Sequence, residues 1–154
     1  MEYYFGYVFE NSDLTCQDFR SREFMFDQSK YALDFFYNNS VPFWDMSSEN
    51  QLLGTTGSNG NWCLAQKNTA NVIVVYLREG GTDTIDLNQN YTVKWYNPKT
   101  GGALMDGSRT SLPMGNNTSI GNAPHNIPGQ DWAVLLRVSP APVLAAPMSA
   151  APVS

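Results

Sequence analysis

Four aromatic side chains set among small polar residues, Trp62, Trp95, Tyr96 and Trp132, are the best candidates in this chain for ligand contact. A flat ring stacks on the face of a sugar while neighbouring amides bind its hydroxyls. The competing role for each is packing, because a strand tryptophan carries a large apolar area that dominates any core it enters. Trp95 and Trp132 are expected in that role. Tyr96 follows Trp95 directly, and in a regular strand the two point to opposite faces, so one of the pair should be accessible.

The titratable residues do not assemble into a catalytic set. Asp83 and Asp86 lie three apart in a strand and face opposite ways, whereas paired acid–base work needs two carboxyl groups across one gap. Asp45 and Glu49 fall in a Ser/Asn-rich connector and read as solvated. Asp18 and Asp27, in a helical stretch, are placed to meet Arg20, Arg22 or Lys30. His125 sits in a loop between Pro124 and Pro128 with no triad partner in view. Cys16 and Cys63 are too few ligands for zinc even with His125. They either pair as one disulfide in a secreted chain or remain two buried thiols that pack as small hydrophobes. No catalytic residue, metal site or cofactor is expected, and the chain is not expected to be an enzyme.

The composition narrows the partners. With a formal net charge of −5 and only 15% charged residues in 154, the chain lacks the clustered Lys and Arg that phosphate backbones demand. Nucleic acid is therefore excluded as a partner. A surface rich in neutral polar groups, with 13% aromatics, suits carbohydrate contact. No membrane span is visible, and Met1–Tyr7 lacks the basic start and apolar run of an export signal. A chain opening on so many aromatics reads as the middle of a fold, separated from an N-terminal partner.

Three elements must position these side chains. A helix is predicted over residues 17–37, with Asp13 or Thr15 at its start. Phe19, Phe26 and Leu33 share one of its faces; Met25, Ala32 and Phe36 share a neighbouring one; Phe24, Tyr31 and Phe35 lie further round. A helix apolar on most of its circumference is buried on several sides, and a small sandwich covers only one. Phe19, Phe24, Phe26, Tyr31 and Phe35 are therefore candidates for association with another copy or with a missing domain. Strands are predicted over residues 62–66, 71–77, 82–87, 91–96, 102–105, 109–112 and 132–138, with Val72, Val74, Tyr76, Trp95 and Leu135 buried. Short β-branched runs punctuated by Gly and Asn give an antiparallel two-layer β-sandwich, mainly β, preceded by one long apolar helix. Proline density makes the final stretch an extended tail. The division is 1–45 for the aromatic start and helix, 46–138 for the sandwich, and 139–154 for the Ala/Pro-rich tail.

Several blocks carry a family resemblance. Phe5-Gly6-Tyr7, Asp13-Leu14-Thr15-Cys16, Arg20-Ser21-Arg22 and Tyr31-Ala32-Leu33-Asp34-Phe35-Phe36 resemble the end of an apiosidase-like (β/α)8 barrel, a glycoside-hydrolase relative. Trp62-Cys63-Leu64-Ala65, Val74-Val75-Tyr76-Leu77, Trp95-Tyr96-Asn97-Pro98-Lys99-Thr100-Gly101-Gly102 and Asp131-Trp132-Ala133-Val134 resemble the small C-terminal β-domain that follows such barrels, which bears a collagen-binding label. The resemblance implies an extracellular or secreted setting linked to glycan breakdown, with the catalytic carboxylates in a barrel that is nearly absent here. Two functions follow. One is a non-catalytic accessory module of a glycan-active or matrix-binding protein, taking a carbohydrate or collagen-like ligand. The other is a structural subunit that forms a homo-oligomer through its helix.

Overall fold

Alternation of apolar and polar side chains in Tyr91–Tyr96 and an unbroken β-branched run in Val72–Leu77 set up the central strands of the computed structural model, which describes residues 23–55, 60–125 and 127–139. The elements are α1 (Glu23–Asn38), β1 (Met46–Ser48), β2 (Trp62–Gln66), β3 (Val72–Leu77), β4 (Thr84–Leu87), β5 (Tyr91–Tyr96), β6 (Ser111–Leu112), β7 (Gly115–Ser119) and β8 (Trp132–Val138). Six strands form one antiparallel sheet in the order β1-β2-β3-β8-β5-β6, and β4 pairs with β7 in a second sheet.

Strand parity sorts the side chains of the large sheet into two clusters. On one face Cys63, Val75, Trp95, Val134 and Leu136 meet Ile85 and Leu87 of β4, making the core between the two sheets. On the other face Val72, Val74, Tyr96 and Leu135 meet Phe35 of α1 together with Val41 and Met46. β3 is thus buried on both faces, which is why it carries no alternation.

Helix α1 ends in a Schellman arrangement. Val41 N donates to Phe36 O at 2.9 Å and Ser40 N to Tyr37 O at 3.1 Å, while Ser40 takes the left-handed conformation at φ 49°. Val41 then enters the same cluster as Phe35. Arg137 of β8 donates through Nη2 to the carbonyls of Asn39 and Ser40, placing a cation where the helix dipole is negative. The expected helix start, with Asp13, Thr15 and Phe19, lies outside the described residues, as does the tail from Pro140.

The structure corrects several expectations. Residues 102–105 form no strand; only an isolated bridge joins Trp95 to Met105, because Gly101 and Gly102 at φ 68° and 102° turn the chain away. The 109–112 strand shrinks to Ser111–Leu112. β7 is a strand that sequence reasoning missed, since Gly-Asn-Asn-Thr-Ser has little β-propensity and owes its conformation to pairing with β4 across a bulge between Ile85 and Leu87. β1, three residues at the sheet edge, was also missed. Val72, Val74, Trp95 and Leu135 are buried as expected, but Tyr76 is half-buried, since its hydroxyl reaches out to the Asp131 carboxylate. The helix itself is buried at Phe35 alone among its described residues, because only one of its faces meets the sheet. No helix among the described residues is long and apolar enough to cross a membrane.

Candidate functional site

Of the four stacking candidates, three are enclosed. Trp95 and Trp132 are fully buried between the sheets, their rings edge to face with centroids 6.1 Å apart. Tyr96 does point to the opposite face from Trp95, but it is not accessible. Helix α1 covers it, with the Phe35 ring centroid 5.0 Å away and the Tyr96 hydroxyl donating to Tyr31 O at 2.7 Å. The expectation that one of this pair is open to solvent is therefore corrected: a third layer, not the strand, decides the matter. Burial pushes the Tyr96 phenol above its ordinary pKa.

The Trp95–Gly102 block is consequently a seat for the helix. Asn97 Oδ1 accepts from Lys99 N at 2.9 Å and Thr100 N at 3.2 Å, and Gly101 N donates to Asn97 O at 2.9 Å. This closed turn presents Gly101 to the ring of Tyr31, where an added Cβ would lie 2.5 Å from Cδ1. Close approach of backbone to ring, and a positive φ, both require glycine at that position. Tyr31 and Phe35, expected as association residues, are spent inside the chain, whereas Phe24 and Phe26 are 56% and 48% exposed; Phe19 lies outside the described residues.

Trp62 is different. It is 58% exposed, at the start of β2, on the helix side of the large sheet. Its cross-strand partner is Tyr76, whose hydroxyl donates to Asp131 Oδ2 at 2.6 Å. The other oxygen of Asp131 accepts from Glu79 N at 2.8 Å, and Glu79 pairs with Arg78 at 2.9 Å on the surface. Burial, then the hydrogen bond and charge of Asp131, push the Tyr76 phenol well above its ordinary range, so it stays a neutral donor. The result is an exposed indole on a fixed backbone, bordered by a phenol, carboxylates and a guanidinium. That arrangement can stack a flat apolar face and hydrogen-bond its polar rim.

Other candidates resolve into structural roles. Cys63 is a free, buried thiol raised by desolvation, then by Glu49, to about 12; Cys16 lies outside the described residues. His125 is exposed, as expected. Asp45 and Glu49 are not merely solvated: Asp45 accepts from Gln66 Nε2 at 3.0 Å and Glu49 from Ser47 Oγ at 2.9 Å. Lys30 pairs with Asp34 one turn on rather than with Asp27. No cluster of metal-ligating residues occurs among the described residues.

Sequence reasoning missed the tethering role of Asp83 and the exposure of Trp44. Asp83 is 5% exposed and tethers Thr55 and Asn61 to the start of β4. Its Oδ1 accepts from Thr84 N at 2.8 Å and Thr55 N at 3.2 Å, while Oδ2 accepts from Asn61 Nδ2 at 3.0 Å and from Thr55 Oγ1. Nothing local marks a buried Asp in a Gly/Thr run. Trp44 is 72% exposed beside Phe43; its position next to Pro42-Phe43 was the available signal. At the open end of the sandwich, Leu52, Ala70, Ile73, Leu87 and Met114 line a mainly apolar cleft of about 560 Å³.

Residues 48–137 match a family model described as "Putative collagen-binding domain of a collagenase". A crystal structure of a glycoside hydrolase family 5 protein from Bacteroides vulgatus shares the fold at a TM-score of 0.55 and 19% identity, over 73% of this chain and 24% of that one. A second structure, named simply as a glycoside hydrolase, does so at a TM-score of 0.57 and 15% identity, over 88% of this chain and 31% of its own. The chain therefore spans only a quarter to a third of the length of these proteins. No curated protein matches it.

Proposed function

Because the chain belongs to the family of the "Putative collagen-binding domain of a collagenase", we propose that it is a non-catalytic accessory module of an extracellular glycan-active protein, binding carbohydrate at Trp62. In this reading residues 46–138 are the binding module, residues 1–45 the end of a barrel, and residues 139–154 a tail. The observation that carries the proposal is the exposure of Trp62 beside the Tyr76–Asp131 pair. An indole left in water beside half-buried Leu64 forfeits hydrophobic stabilisation, and its neighbours supply the acceptors that sugar hydroxyls require. The shared fold with two glycoside hydrolases supports the setting.

A glycan array with the whole chain and its Trp62→Ala variant tests this. Binding to at least one neutral glycan is expected, with a loss of about tenfold in the variant, the scale of one flat-ring stacking contact by analogy with bases on aromatic platforms. The melting temperature should not move, since the ring is mostly exposed. Binding unaffected by the substitution, or none at all, overturns the assignment; binding to a triple-helical collagen peptide alone moves it to a matrix ligand.

A second reading, a self-associating structural subunit, is favoured by the outer face of α1, where Leu33 and Tyr37 are 56% and 63% exposed.

A further inference from the structure

Trp44 is the most exposed of the large hydrophobic residues described, yet its ring is anchored. It stands edge-on to Phe43 at 5.2 Å, and Phe43 rests edge-on against Phe36 at 5.7 Å and Tyr37 at 5.8 Å. Phe36 in turn packs on the helix-side cluster of the large sheet. The backbone beneath is fixed as well: Phe43–Asp45 is one turn of 3-10 helix, Lys67 N donates to Asp45 O at 2.9 Å, and Gln66 Nε2 holds the Asp45 carboxylate.

Trp44 and Trp62 are related by the sheet. Trp62, Leu64 and Gln66 occupy alternate positions of β2 and share its helix-side face. Gln66 pairs with Met46, two residues after Trp44. At a rise of about 3.4 Å per residue Trp62 and the Gln66–Met46 pair stand roughly 14 Å apart along the β1–β2 margin, and the 3-10 turn that carries Trp44 lies just past that pair.

We propose that Trp44 is a second stacking platform, and that the ligand is a neutral, extended glycan chain lying along this margin from Trp62 to Trp44. The inference rests on the assignment of Trp62 made above and adds the form of the ligand. Two rigid rings separated by half-buried Leu64 and Gln66 suit a repeating polymer, which meets a platform at intervals. Asp45 and Glu49 at one end, Asp131 at the other, the Arg78 guanidinium already paired with Glu79 and a net charge of −5 disfavour uronate or sulfate groups.

Titration calorimetry on the whole chain tests this with cellobiose and cellohexaose, xylobiose and xylohexaose, and a triple-helical Pro-Hyp-Gly peptide. A hexasaccharide is expected to bind roughly 10²-fold more tightly than its disaccharide, the gain of a linked second site. Trp44→Ala should erase that gain and leave disaccharide affinity and melting temperature unchanged; Trp44→Phe should restore part of it. If Trp62→Ala weakens binding while Trp44→Ala changes nothing, the second platform falls and the Trp62 assignment stands. If no oligosaccharide binds, both fall. Peptide binding lost on Trp44→Ala, or a drop in solution mass in that variant, also overturns it, assigning the ring to a matrix ligand or to contact between copies.

Discussion

Asp83 shows what a buried carboxylate needs: both oxygens are committed, to two backbone N–H groups, a hydroxyl and an amide. Asp83→Asn would turn an amide donor toward Thr55 Oγ1 and Asn61 Nδ2, both of which donate to it now. The expected cost is about 2–4 kcal/mol, since bonds to a charged acceptor are lost and buried donors are left unmet; urea unfolding of the variant measures it, and a loss under about 0.5 kcal/mol would contradict this role. Cys63 gives a pH signature. Its thiol is raised from 9.0 to about 12 by burial, so above pH 9 the unfolded chain releases a proton that the folded chain keeps. The stabilisation is full below pH 9 and is lost as pH rises toward 12, at about 1.4 kcal/mol per pH unit. Tyr76, Tyr91 and Tyr96, all raised chiefly by burial, deepen the decline further into the alkaline range. Urea midpoints should fall from pH 9 upward, and Cys63→Ala should flatten the first part of that fall. A midpoint insensitive to alkali would show that the thiol is not desolvated.

Among the elements, α1 is held by one face only. Phe35 is 3% exposed against Tyr96, whereas Leu33, half a turn away, is 56% exposed. Phe35→Ala should cost about 3–5 kcal/mol by opening a cavity under the helix, and Leu33→Ala within about 0.5 kcal/mol. Thermal denaturation of the two variants separates them; equal losses would mean that the helix is covered on both sides. The seat for this helix was in plain sight in the Asn97–Gly102 turn, but its purpose was not. Asn-Pro followed by Gly-Gly announces a turn through local backbone chemistry alone. That Tyr31 occupies the space over Gly101 depends on a contact between distant parts of the chain.

At the scale of the whole molecule, the exposed Leu33 and Tyr37 on α1 continue into Phe43 and Trp44. A contiguous apolar surface of this kind marks an interface when it is large enough. If the helix face mediates self-association, a Leu33→Ser/Tyr37→Ser variant should shift light scattering at high concentration toward the monomer mass without lowering the melting temperature. A wild-type chain that is monomeric throughout would remove the subunit reading and leave the accessory-module proposal untouched.

The amino-acid sequence determined the pieces whose conformation follows from neighbours in the chain. β2, β5 and β8 lie where alternation and β-branched runs place them, because burial of every second side chain is written into the strand period. The opposed faces of Trp95 and Tyr96 follow from the same geometry. Tertiary structure alone decided which faces were covered. Tyr96 is closed because a distant helix lies over it, as the hydrogen bond from Tyr96 to Tyr31 across 65 residues shows, whereas Trp62 on the same side of the sheet is left 58% exposed. β7 is a strand, and Asp83 a buried tether, only because β4 meets the one and Thr55 and Asn61 meet the other. Local propensity is a property of adjacent residues, whereas exposure depends on all the layers at once.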